Sequence, residues 1–214
     1  MRPATYRSQD GRTTVPLKLE PWGTVFVVFR KPAEATAFTA PASSETQLAA
    51  VSGPWAVKFQ PGRGAPESIT LGDLASWTTN ADPGVKYFSG TGTYTRNLDA
   101  PAAWFTHGAE LWIDLGYVKE LAQVEVNGKP LGTVWHSPFR VDLTAALHPG
   151  ANQLTVKVTN LWPNRMIGDQ QPGVTNPITF ADVKPYKANS PLIDSGLLGP
   201  VRILRITTEA GTGK

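Results

Sequence analysis

Tyr87–Phe88–Ser89–Gly90–Thr91–Gly92–Thr93–Tyr94 is the stretch on which the fold turns. Gly90–Thr91–Gly92 opens a strand, not the N-terminus of a helix, and no phosphate-binding glycine loop follows from it. Moving outward, the same period of two recurs. Trp55, Val57 and Phe59 alternate with Ala56 and Lys58, and Leu111, Ile113 and Leu115 repeat the pattern. Ala122, Val124 and Val126 face one way while Gln123 and Glu125 face the other. Phe139, Val141 and Leu143, then Leu154, Val156 and Val158, then residues 201–206, complete the set. Asn127–Gly128 is the strongest hairpin signal, because both residues tolerate the positive φ of a type I′ turn. The chain carries 20 Gly and 19 Pro and no sustained helical period. Short alternating runs between such turn residues predict an all-β sandwich or barrel.

Composition narrows the class. The 214 residues suffice for one large domain, or one domain plus a small appendage. A hydrophobic share of 41% supplies a core and argues against wholesale disorder. The net charge of +3 comes from Lys and Arg scattered singly, so no nucleic-acid partner is expected. No apolar run reaches the length of a membrane span, so no membrane partner is expected either. With no cysteine, disulfides and thiolate sites are excluded. Residues 1–10 lack a signal-peptide core, which leaves the location open: secreted or periplasmic if the chain is part of an exported parent.

The organisation reads as four pieces. Residues 1–31 form a docked N-terminal β-hairpin, with Val15, Leu17 and Leu19 on one strand, a turn at Pro21–Trp22–Gly23, and residues 25–29 as a buried strand. Residues 32–50, rich in Ala, Thr, Ser and Pro, form a linker or strap. Residues 51–208 are the main sandwich, and residues 209–214 a flexible tail. Between Asn160 and Leu198 little periodicity appears; so long a loop is functional or hides short elements.

The order of motifs from Trp55 to Ile206 resembles the galactose-binding-like jelly roll of glycoside hydrolase family 2. The matching pieces are Gly90–Tyr94, Leu111–Leu115, Val124–Gly128, Pro138–Thr144 and Pro149–Asn152. Asp82–Gly90, Asn160–Asp169 and Ser195–Val201 are similar to the C-terminal region of family 106, the α-L-rhamnosidases. The resemblance implies a jelly-roll β-sandwich that binds carbohydrate beside a catalytic barrel. The barrel that holds that family's catalytic carboxylates and metal has no counterpart in this sequence, so no catalytic residue carries over. Jelly rolls of this type hold a structural calcium through carbonyls and a carboxylate, which leaves room for one here; no other cofactor is expected.

Sugar rings stack their C–H faces on aromatic planes and bond their hydroxyls to amides, carboxylates, Arg and His. Trp135 and His136 follow the hairpin and fall near a loop rim. Trp162, Asn164, Arg165 and Asp169 form the most polar and aromatic cluster of the long loop. Arg165 and Asp169 stand four apart, which fits either an ion pair that pins the loop or direct sugar contact. Trp77 and Tyr87 flank the turn at residues 80–84. Trp112 is out of phase with its apolar neighbours, so it sits under a loop or faces the second surface. Hydrolysis of a glycoside needs two carboxylates; Asp114 and Glu125, on polar strand faces, are the pair an active enzyme would use. The alternative for both is a solvated sheet face. Three functions therefore stand: a non-catalytic carbohydrate-binding module, a small glycosidase working through Asp114 and Glu125, and a structural domain whose groove a partner barrel fills.

Overall fold

The computed structural model describes residues 3–208, so the tail expected at residues 209–214 lies outside the described residues. The chain runs through β1 (Tyr6–Gln9), β2 (Arg12–Thr14), β3 (Ala37–Phe38), β4 (Ser43–Ala50), β5 (Trp55–Phe59) and β6 (Ser68–Leu71). After a 3-10 turn at Trp77–Thr79 comes the single-turn helix α1 (Pro83–Lys86), then β7 (Thr91–Ala100). β8 (Ala109–Asp114), β9 (Tyr117–Lys119), β10 (Leu121–Val126), β11 (Lys129–Val134), β12 (Arg140–Asp142) and β13 (Gly150–Thr159) follow. Helix α2 (Pro163–Gly168), β14 (Gly196–Gly199) and β15 (Arg202–Thr208) close the chain.

A six-stranded sheet in the order β11-β10-β13-β7-β5-β6 faces a four-stranded sheet in the order β12-β8-β15-β4. All strand pairs are antiparallel, and the fold is the all-β sandwich that the alternating runs predict. Because side chains alternate across a strand, one apolar phase per strand is enough to fill the space between two sheets. Val57, Tyr94, Val156 and Val124 stand directly opposite one another across four neighbouring strands, all buried. Leu111, Ile113, Val141 and Ile203 supply the facing layer from the other sheet. Each such aliphatic contributes about 1.5–3 kcal/mol by leaving water.

The quoted stretch at residues 87–94 works by close approach. A Cβ on Gly92 would lie 2.6 Å from Trp77, so only glycine lets this indole into the core. Tyr94 lies in a plane within 10° of the same indole, its centroid 6.2 Å away. Its hydroxyl accepts the Leu197 N–H at 3.0 Å. Burial pushes the Tyr94 phenol above its ordinary value, against the opposing effect of that bond. Asn127 and Gly128 take φ of 53° and 76°, the two positive values that a type I′ hairpin requires.

Two expectations for the N-terminal third are corrected. A hairpin exists, but it is β1–β2, turning at Asp10–Gly11, with β3 added on its other edge. Residues 15–35 pair with no strand among the described residues; the turn at 21–23 is kept by the Gly23 N–H bond to the Glu20 carbonyl. Residues 25–29, expected as a buried strand, are exposed. Apolar content alone sets them apart, and among the described residues no strand pairs with them. Ser43–Ala50, read from its composition as strap, is strand β4 and pairs with β15 over its whole length. No helix among the described residues is long and apolar enough to cross a membrane.

Candidate functional site

The cluster in the long loop is a buried latch. Pro163 starts α2, the first position where a missing N–H costs nothing. Asn164, fully buried, donates to the Ile193 carbonyl at 2.7 Å and to Ser195 Oγ at 2.9 Å, and accepts the Ile193 N–H. Asn160 donates to the Phe88 carbonyl and Ser195 Oγ, and accepts the Gly90 N–H at 2.9 Å. Ser89 donates to the Leu161 carbonyl, and Ser76 Oγ accepts the Ser195 N–H. Three distant segments, near residues 76–90, 160–169 and 193–195, are thereby tied by satisfied polar groups, which a buried site requires.

Arg165 and Asp169 extend the latch. Arg165 Nε donates to Asp169 Oδ1 at 3.0 Å, with both side chains almost fully buried. Asp169 also accepts the Ile178 N–H, the Thr179 N–H and the Thr179 hydroxyl. Burial alone would raise the Asp169 carboxyl, but the Thr179 and Ile178 bonds and the Arg165 charge outweigh it and hold it below its ordinary value. A Cβ on Gly168 would collide with Arg165 and Tyr87, so glycine is required where helix meets turn. Asn164 and Asp169 thus spend their hydrogen bonds inside the protein, which corrects the expectation that they meet a sugar, while Arg165 commits Nε to Asp169. Trp77 is corrected likewise: it is buried in the core among Phe59, Phe88 and Tyr94. Tyr87 is half-buried beside Lys86, and Trp162 is partly exposed under the Arg63 guanidinium, 4.7 Å from its ring.

The two carboxylates do not form a pair. Asp114 is on β8 of the four-stranded sheet and Glu125 on β10 of the six-stranded sheet. Each occupies the outward phase of its strand, so they lie on opposite outer faces with the core between them. Asp114 accepts Arg140 Nε at 3.1 Å and the Gly116 N–H at 2.9 Å, while Glu125 is bound by Lys157. No glycosidic bond can reach both, because the two residues need separations of about 5–10 Å. Asp142 accepts the Thr144 N–H at 2.9 Å and steadies the turn after β12.

Trp135 is 69% exposed at the end of β11, its ring edge-on to His136 at 5.0 Å. His136 is half-buried, with Nδ1 2.9 Å from the Ser137 carbonyl oxygen, which leaves Nε2 as the acceptor of the neutral ring. His136 also borders an open cleft of about 410 Å³ between residues 18–25 and the outer face of the four-stranded sheet. Trp112, Pro138 and Arg140 form its sheet side, and Lys18, Glu20 and Val25 its other wall. Trp112 Nε1 donates to Glu110 at 3.0 Å. Arg140 reaches Glu45 at 2.7 Å as well as Asp114. Partial burial opposes its charge, but the Glu45 bond and the two nearby carboxylates prevail and raise it. Trp112 and Arg140 were legible only in part: the period of two at Leu111–Asp114 turns Trp112 outward, but strand pairing alone brings Arg140 opposite Asp114. Among the described residues, no group of three or more His, Cys, Asp or Glu could hold a metal ion.

No family model matches the chain. The solved structure of a rhamnosidase from Novosphingobium sp. is 47% identical, covering 95% of this chain and 19% of that one, with a TM-score of 0.88. A protein of Formosa agariphila whose name carries a beta-glucuronidase assignment is 36% identical over 176 residues, 72% of this chain and 15% of its own length. A Ruminococcus gnavus beta-glucuronidase shares the fold at 18% identity and a TM-score of 0.53, over 85% of this chain. The chain is thus related to one stretch of larger glycosidases, and spans about a fifth or less of the length of the first two.

Proposed function

We propose that this chain is a non-catalytic accessory domain of a larger, rhamnosidase-like glycosidase, packed against the body of that enzyme through residues 17–29. It corresponds, in this reading, to the galactose-binding-like jelly roll of family 106, with a catalytic barrel as its partner. One observation carries the proposal. Trp22, Phe26 and Phe29 are 85%, 86% and 73% exposed on one short segment, together with Leu17, Leu19 and Val25 to Val28. Monomeric domains rarely leave so many large apolar groups contiguous in water; such patches mark interaction surfaces. The occupant is the remaining four-fifths of a glycosidase of the length seen in the Novosphingobium relative. The separation of Asp114 from Glu125 removes support for a stand-alone glycosidase.

The test is transplantation. This chain replaces the matching segment of the Novosphingobium rhamnosidase, with and without Trp22→Ser, Phe26→Ser and Phe29→Ser together. The chimera should be active, and the triple variant should melt several degrees lower; the triple change should leave the melting of the isolated chain unaltered. Equal melting of both chimeras, or turnover of nitrophenyl glycosides by the isolated chain, would overturn the reading.

A further inference from the structure

We infer that the cleft between residues 18–25 and the outer face of β8 and β12 is a sugar site that takes a neutral hexose ring against Trp112. This goes beyond the packing role: it shares residues 18–25 with that reading, but its lining excludes the exposed Trp22, Phe26 and Phe29. A carbohydrate site needs an aromatic plane that ordinary packing has not consumed, and fixed polar groups at its rim. Trp112 meets the first need. It sits in the outward phase of β8, away from the core, half-buried at the base of the cleft. Its Nε1 bond to Glu110 fixes the indole before any ligand arrives. Directly opposite on β15, Leu204 is buried though it belongs to the same outer phase, so the indole has an apolar neighbour on the sheet.

The polar rim is also held in advance. Arg140 is anchored by Glu45 and Asp114 and has donors left over, since a guanidinium carries five N–H groups. His136 presents an acceptor through Nε2, and Glu20 adds a carboxylate from the opposite wall. Such a mixture of donors and acceptors suits hydroxyls, which both give and receive. Charge decides the class of sugar. The cations at the cleft are Lys18 and Arg140; the carboxylates beside them are Glu20, Asp114 and Glu45. Arg140 is committed to two carboxylates, and Lys18 lies 3.9 Å from Glu20. A uronate would bring a further negative charge to a site where acids already outnumber bases, so a neutral ring is preferred.

Ligand-observed NMR and calorimetric titration of the chain test this, with methyl α-L-rhamnoside and methyl β-D-galactoside as neutral probes and D-glucuronate as the charged one. A neutral glycoside should bind saturably in the millimolar range, and glucuronate about tenfold more weakly or not at all. Trp112→Leu, which keeps apolar cover over the sheet, should weaken the neutral probe about tenfold or more. His136→Ala, at a half-exposed position, should also weaken it and serves if the Trp112 variant does not fold by circular dichroism. Trp162→Ala, on the distant loop, should change nothing. Absence of saturable binding by either neutral probe, preference for glucuronate, or affinity untouched by both cleft variants would overturn the assignment. Loss on Trp135→Ala with affinity kept in Trp112→Leu would move the site to the rim and overturn it equally. None of these outcomes bears on the melting of the chimera, so the two readings fail separately.

Discussion

At the scale of single residues, the side chains that look most like ligand groups hold the protein together. Asp169 is the clearest. Its carboxylate receives three bonds from Ile178 and Thr179 and one from Arg165, inside the protein. Removing one member of a buried pair leaves the other charge uncompensated, so Asp169→Ala should cost about 3–5 kcal/mol in urea unfolding at neutral pH. The pH dependence has a definite sign. Asp169 is held below its ordinary value in the folded state, so the unfolded chain binds its proton first as pH falls. Its contribution is present above the unfolded value, about 3.9, and fades below it. The stability gap between wild type and Asp169→Asn should therefore be full at pH 7 and shrink in acid below about pH 4. A gap constant from pH 7 to 3 would contradict the assignment. Gly92 offers a test of packing. Gly92→Ala pushes a methyl into Trp77 and should cost about 1–3 kcal/mol, although alanine is normally harmless in a strand.

At the scale of elements, the latch predicts a local result. Asn164→Ala strips partners from the Ile193 N–H and carbonyl and from Ser195 Oγ. Hydrogen exchange should then quicken across α2 and the segment leading to β14, while β7, β10 and β13 keep their protection. Uniform loss over the sandwich would show that the latch is part of the global core instead. This contrast explains what the sequence could and could not disclose. β5, β10 and β13 were legible because a strand buried on one face must alternate, and Asn127–Gly128 was legible because few residue pairs accept two positive φ values. β4 was not, since Ser43–Ala50 lies at the edge of its sheet and is mostly exposed, leaving no apolar phase to read. Residues 25–29 misled for the opposite reason. Their apolar run matches a buried strand, and nothing local distinguishes a run that joins the core from one left exposed. The latch was half-legible: an Arg and an Asp four apart announce a pair, but the partners at Thr179 and Ser195 come from tertiary structure alone.

At the scale of the whole molecule, the distribution of apolar surface separates folding from assembly. The sandwich core is closed, with Trp55, Ile113, Leu154 and Ile203 fully buried. The apolar segment at residues 17–29 has no strand partner among the described residues and adds little to that core. Its large side chains are therefore not needed for the isolated chain to fold, yet their exposure should make it associate or bind hydrophobic dyes. Replacing Trp22, Phe26 and Phe29 together by serine should abolish most binding of an apolar dye such as ANS and suppress self-association in sedimentation, with the urea midpoint held constant. Trp55→Ala is the opposite case: it should cost about 3–5 kcal/mol and leave dye binding to the folded state unchanged. If the triple serine variant lost midpoint as Trp55→Ala does, the segment would belong to the core after all, and the body of a larger enzyme would no longer be needed to account for its composition.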